Sequence, residues 1–305
     1  MTLMSPTPIE KATRQSPDSN EALAKSSSGI REAVIFLHLP KTAGTTLNRL
    51  IEWEYKLTEM YSVDPVLFEW SAAHLRNLPE SRLRRTRIFK GHMLFGLHEV
   101  LPQPSTYITV LRDPIERVLS AFFFMRTYKL HPLYWKFRQE KWTLEEFVQR
   151  STRDNVQCKI IAGADYHSPC TQEVLEKAVN HLDNYFSVVG LSERFEESLA
   201  LMKLRFGWQL NSYSSFNVTR SRPKQGDLSG PTLELIRERN RFDVALYEHA
   251  SRLFVSAVSK QKEEVTRIAA ELKTARARSQ GTIESTLFTV RATARKAANR
   301  LYSAT

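Results

Sequence analysis

The 305-residue chain is poor in the features that mark several protein classes. It has two cysteines, Cys158 and Cys170. Two are too few for a disulfide scaffold, and their spacing matches no metal or redox motif. Reduced thiols in a cytoplasmic protein are the expectation. No run approaches the ~20 apolar residues of a membrane span. The longest candidate, VLSAFFFM at 118–125, reads as the core face of a helix. Residues 1–30 lack the apolar segment of a signal peptide and are rich in Ser and Pro, so they read as a disordered lead-in. The triplet Asn217-Val218-Thr219 is formally a glycosylation acceptor and, without a secretion signal, reads as a loop. There is no internal repeat.

Charge is plentiful but uneven. The net charge is +11, yet residues 260–305 hold ten Lys and Arg against four Glu, and residues 1–30 balance three against three. The stretch 31–259 is left at only +5. A modestly basic core suits an anionic ligand and lacks the dense basic face that nucleic acid requires. The division expected is a lead-in at 1–30, one domain at 31–259 and a basic helical extension at 260–305.

What is present begins at HLPKTAGTT, residues 38–46. It follows the β-prone run Ala33-Val34-Ile35-Phe36-Leu37 and precedes Leu47, Leu50, Ile51 and Tyr55 at helical spacing. The pattern is strand, loop, helix. Free N–H groups at a helix start and the dipole there favour an anion. Lys41 adds charge; Thr42, Thr45 and Thr46 add hydroxyls; Ala43 is small, and Gly44 permits close approach of backbone. A phosphate-like or sulfate-like ligand is one reading, and an ordinary threonine-capped turn is the other. The nucleotide P-loop pattern does not fit, because Lys41 precedes Gly44 instead of following a glycine.

TYITVLRDPIERVLSAFFF, residues 106–124, repeats the theme. Tyr107–Leu111 reads as a strand, and Asp113-Pro114 as a helix start. Arg112 then falls at the carboxyl end of a strand, where open α/β sheets bind ligands. It is suited to gripping a phosphate, or to pairing with Asp113 to fix the turn. In RIFKGHMLFGL, residues 87–97, Gly91 lets the chain turn and His92 projects from that turn. Most lone histidines are structural, but one at this edge of a sheet suits a general base.

Taken in order, PKTAGTT, a GH after a strand and RDPIERVLSAFFF resemble the sulfotransferases that use 3′-phosphoadenosine-5′-phosphosulfate (PAPS). They are most like the heparan-sulfate 2-O-sulfotransferase-like branch in its bacterial form. DNVQCKIIAG (154–163), YFSVVGLSERFEESLALM (185–202) and NRFDVALYEHASRLF (240–254) extend the resemblance over roughly 33–255. It implies an α/β fold with a P-loop-like central parallel sheet flanked by helices, ending in a C-terminal helical extension. It implies PAPS as co-substrate, no metal, and a carbohydrate or glycoconjugate acceptor. It implies that residues 41–46 hold the 5′-phosphosulfate, that Arg112 and Ser120 hold the 3′-phosphate, and that His92 is the catalytic base. It implies that Lys41 stabilises the leaving phosphate. It also implies that Arg220, Ser221 and Arg222 help close over the nucleotide. Some relatives carry a second histidine two residues before the first; here that position is Lys90.

A P-loop-type nucleotide phosphotransferase is the competing reading, and a non-catalytic protein using its tail on nucleic acid is a third. Pro231 to Phe254 reads as one long helix. The segment beyond it reads as a solvated helical appendage, with contact to a membrane surface through its basic face as the sharper alternative. Trp53, Trp70, Tyr134, Trp135 and Trp142 are candidates for stacking on sugar rings or for the core. The sequence says nothing of oligomeric state.

Overall fold

In a computed structural model, the residues described are 32–63, 75–129, 134–150, 153–211, 213 and 225–279. The sequence expectations for 1–30, Trp70, Arg220, Ser221, Arg222 and the chain beyond 279 lie outside them.

Five parallel strands form one sheet: β1 (Ala33–Leu37), β2 (Met60–Val63), β3 (Ile88–Gly91), β4 (Ser105–Leu111) and β5 (Phe186–Leu191), in the order β2-β3-β1-β4-β5. A parallel sheet covered on both faces needs continuous apolar strands. β1 meets that need, with all five residues of AVIFL buried. The chain runs from β1 outward to β2 and β3 on one side, then returns to place β4 and β5 on the other. The crevice between β1 and β4 is therefore the switch point where such sheets bind ligands at their carboxyl ends. The α/β architecture with a central parallel sheet flanked by helices is thus as expected.

The helices described are α1 (Gly44–Glu54), α2 (Glu80–Arg85), α3 (Pro114–Thr127), α4 (Tyr134–Glu140), α5 (Leu144–Arg150), α6 (Val156–Ala162), α7 (Gln172–Tyr185), α8 (Phe195–Phe206), α9 (Gly230–Arg239), α10 (Arg241–Lys260) and α11 (Lys262–Ser279). Asp113 caps α3 by accepting from the Glu116 N–H at 3.0 Å, with Pro114 opening the helix. That start was legible in the sequence.

Two expectations need correction. The single helix from Pro231 to Phe254 is two, α9 and α10, broken at Asn240. Asn240 is buried, and its side-chain oxygen accepts from Arg117 and from the Asn155 N–H, each at 3.3 Å. An amide committed to two neighbouring elements fixes the break. The start of the tail is also no solvated appendage. α11 packs against α8 with Val265, Ile268 and Leu272 buried. Arg276 of α11 pairs with Glu196 at 2.7 Å and donates to the Tyr213 hydroxyl at 3.0 Å. Among the described residues no helix is long and apolar enough to cross a membrane.

Candidate functional site

The loop after β1 takes an unusual backbone path. Lys41 and Ala43 both have positive φ, 71° and 66°. Left-handed residues in a turn gather successive N–H groups into a concavity suited to an anion. α1 then starts on Ala43 with no side-chain cap and no acid in its first turn. Thr42 is spent inside the loop, its hydroxyl donating to the Leu39 carbonyl at 2.9 Å. Gly44 itself has an ordinary φ. Glycine is required there by packing, because a Cβ would lie 2.0 Å from the His38 ring. The Lys41 ammonium sits 3.8 Å above the Phe124 ring of α3.

Arg112 leaves β4 into a polar frame. Its backbone is bracketed by Gln157, which accepts from the Arg112 N–H and donates to the Arg112 carbonyl, both at 2.9 Å. Its guanidinium donates to the Lys41 carbonyl at 3.1 Å, which ties the two sequence motifs together. It also meets Glu116 at 3.2 Å and Glu193 at 3.9 Å. The expected alternative partner, Asp113, is occupied as the cap of α3. Burial pushes the Glu193 carboxyl above its ordinary range, and hydrogen bonds from Tyr247 and the Asp113 N–H only partly offset this. Ser120 lies on α3 and is buried.

His92 follows β3, whose last residue Gly91 has φ 144° and lies so close to the Val63 carbonyl that a Cβ would sit 2.2 Å from it. The His92 Nδ1 is 2.8 Å from the His38 carbonyl oxygen. A carbonyl only accepts, so Nδ1 carries the proton and the neutral ring keeps its lone pair on Nε2. A general base needs that lone pair. The rings of His38 and His92 stack with centroids 4.0 Å apart and planes 24° apart.

His38 is the site residue the sequence reading passed over. In the parallel register Leu37 pairs with Gly91, so the next residues, His38 and His92, come side by side. Lys90, raised as the replacement for a second histidine, is not at the site mouth. It is buried in β3 and pairs with Glu52 of α1 at 2.8 Å. Phe124, Gln157 and Glu193 were likewise not singled out. Each gains its role from a neighbour distant in sequence.

The aromatic candidates separate by exposure. Tyr134 and Trp142 are core residues; Trp53 and Trp135 are exposed. An apolar hollow lined by Val118, Ala121, Phe124 and Met125 opens beside Lys41, with Arg153 and Tyr166 at its polar side. Behind the site, Arg117 of α3 and Asp243 of α10 form a buried pair at 3.5 Å. Asp243 also accepts from the Cys158 N–H at 2.8 Å, capping α6 from another helix. The Cys158 thiol hydrogen-bonds to Cys170, and this contact together with burial pushes its pKa up. The two thiols, separate in sequence, are thus neighbours in the fold.

The family model described as Galactose-3-O-sulfotransferase matches residues 2–299. Among curated relatives, "Galactose-3-O-sulfotransferase 2" of Mus musculus is 24% identical over 250 residues, covering 72% of this chain and 61% of its own. "Galactose-3-O-sulfotransferase 3" of Bos taurus is 25% identical over 272 residues, covering 80% and 62%. "Galactosylceramide sulfotransferase" of Mus musculus is 29% identical over 299 residues, covering 88% and 70%. The chain spans about three fifths of the length of the first two. The match is to a carbohydrate sulfotransferase family, as the motif order implied, but to the galactose branch instead of the heparan-sulfate 2-O-like one.

Proposed function

The chain belongs to the galactose-3-O-sulfotransferase family, and on that premise we propose that it moves a sulfuryl group from PAPS to a hydroxyl of a galactose-bearing carbohydrate or glycolipid. The observation that carries the reading is a convergence at one edge of the sheet. An uncapped helix start follows β1, an arginine follows β4, and a histidine with its lone pair on Nε2 follows β3.

The residues present fit the donor. α1 opens without a cap or an acid, beside Lys41 and Arg112, so the mouth offers donors and positive charge to an anion. The loop at 41–46 would hold the 5′-phosphate end, and Arg112 with Ser120 the 3′-phosphate. When bound, PAPS supplies the sulfuryl group and leaves as 3′,5′-phosphoadenosine (PAP). His92 Nε2 takes the proton of the attacking hydroxyl. Lys41, drawn from its place over Phe124, stabilises charge on the leaving oxygen. The protein's task is positioning and charge stabilisation, which calls for no metal from this chain.

The test has two arms. PAP should raise the melting temperature of the full chain in the presence of a chelator, because a ligand that binds only the folded state stabilises it. The same protein should transfer sulfate from PAPS to a terminal galactoside, and His92→Gln should lower that rate about a hundredfold or more. Stabilisation by ATP with magnesium and not by PAP would replace this reading with the phosphotransferase. A reducing compartment is a separate proposal from the two cysteines. It is checked by counting free thiols in the protein as isolated from cells, with two expected.

A further inference from the structure

His38 packs against both the donor loop and His92, and nothing in the motif accounts for it. The residue is only 7% exposed. On the α1 side, Asn48 contacts His38 Nδ1 at 3.0 Å, and Gly44 lies so close that a Cβ would overlap the ring. On the β3 side, the His38 ring stacks on His92 at 4.0 Å, while the His38 carbonyl accepts from His92 Nδ1. Phe36 stacks on His38 with centroids 5.4 Å apart and planes 13° apart. The orientation of His38 is therefore set by α1, and the orientation of His92 is set by His38.

We propose that His38 is a positioning residue for His92, backing its ring so that Nδ1 stays on the His38 carbonyl and Nε2 stays aimed at the acceptor. This rests on the assignment of His92 as the base. The physical reason is that a hydrogen bond at one ring nitrogen holds a tautomer only while the ring stays in line with its acceptor, and that single contact leaves the ring free to tilt out of line. A flat neighbour at 4.0 Å removes the tilt. Reaction rates are steep in such geometry, since misplacement of about 1 Å costs about a hundredfold. The linkage also places the donor loop and the base on one lever, because Gly44 and His92 touch the same ring.

The test compares full-length wild type with His38→Phe and His38→Ala, each labelled with 15N-histidine. The His92 ring nitrogens are assigned by their loss in His92→Gln, and their shifts report which nitrogen carries the proton. Wild type and His38→Phe, which keep a flat ring, should show the proton on Nδ1. His38→Ala should show exchange between the two tautomers. With PAPS and a galactoside, His38→Ala should lose about tenfold or more in kcat with KM for PAPS within about twofold, and His38→Phe should recover most of the loss. An Ala variant that is folded, keeps wild-type ring shifts and keeps its kcat overturns the proposal. So does a Phe variant with the tautomer exchange of the Ala variant. If no galactoside is sulfated by wild type, the functional reading fails, while the ring shifts still decide the role of His38.

Discussion

At Lys41 and Ala43 the backbone enters the left-handed region, while Gly44, the glycine of the motif, does not. The glycine answers to the His38 ring, so its substitution is a packing experiment. Gly44→Ala should overfill the contact and destabilise by about 1–3 kcal/mol, read as a lower urea midpoint. His38→Ala makes room for the added methyl. The double variant should then be less destabilised than the two single losses summed, and simple additivity would show that the two residues do not share the contact. Arg112 carries a different expectation. It holds a loop carbonyl and faces two carboxylates. If it also reads the 3′-phosphate, Arg112→Ala should weaken PAP about ten- to hundredfold, on the scale of hydrogen bonds to charged groups. Adenosine 5′-phosphosulfate, which lacks that phosphate, should lose much less. Equal losses would confine Arg112 to tying the loop to β4.

Among the elements, β1, α1, β4 and the start of α3 were legible from residue patterns, because each is specified locally. A continuous apolar run gives a buried strand, and Asp-Pro gives a helix start. What the sequence could not show depends on register and on contacts between distant segments. His38 meets His92 across 54 positions because β1 and β3 pair in parallel. Lys90 stands where the resemblance puts a second histidine in some relatives. β3 ends between Lys90 and His92 at Gly91, whose φ of 144° breaks the alternation, and Lys90 pairs instead with Glu52 of α1. The break at Asn240 was invisible because its partners, Arg117 and Asn155, lie far away in the chain. In α11 the stripe of Val265, Ile268 and Leu272 is thin among Lys, Arg and Glu, so it read as a solvated face. Those three side chains are nonetheless buried on α8. A chain ending at Lys260 should therefore be insoluble or have a markedly lower urea midpoint than one ending at Ser279. Equal midpoints for both would mean that α11 adds nothing to the fold. The buried pair between α3 and α10 is tested separately. Burial pulls the Asp243 carboxyl up and the Arg117 guanidinium down, while each partner's charge opposes the shift. Asp243→Ala leaves Arg117 buried without its counter-charge and removes the cap of α6, a loss of about 3–5 kcal/mol by the precedent of broken buried pairs.

Across the whole molecule the two edges of the sheet have opposite characters. The carboxyl edge gathers Lys41, Arg112 and His92. At the other edge, near the starts of β4 and β5, Tyr107 and Phe186 join Phe95, His98, His181 and Tyr185 in an aromatic cluster. His181 stacks on Phe95 with centroids 3.8 Å apart, and its Nδ1 donates to the Ile161 carbonyl at 2.7 Å. His98 Nδ1 is 3.0 Å from the Tyr107 hydroxyl, whose pKa burial pushes up to about 12. Burial lowers the pKa of both histidines. Lys177 adds to the effect at His181, and Glu99 opposes it at both. The sign of the consequence follows from proton uptake. Below the ordinary histidine value of 6.5, the unfolded chain binds protons that the folded cluster resists. Stability should thus be insensitive to these groups above pH 7, fall as pH drops below about 6.5, and level off once the folded pKa values are passed. Glu193 works in the opposite direction at lower pH. Its raised pKa lets the folded state keep a proton that the unfolded chain releases above 4.5, so acidification toward that value restores part of the loss. Urea midpoints measured from pH 8 to 5 should decline across the histidine window in wild type. The decline should be shallower in a His98→Gln/His181→Gln variant, which has nothing to protonate there. A variant that declines as steeply as wild type would place the pH sensitivity outside this cluster.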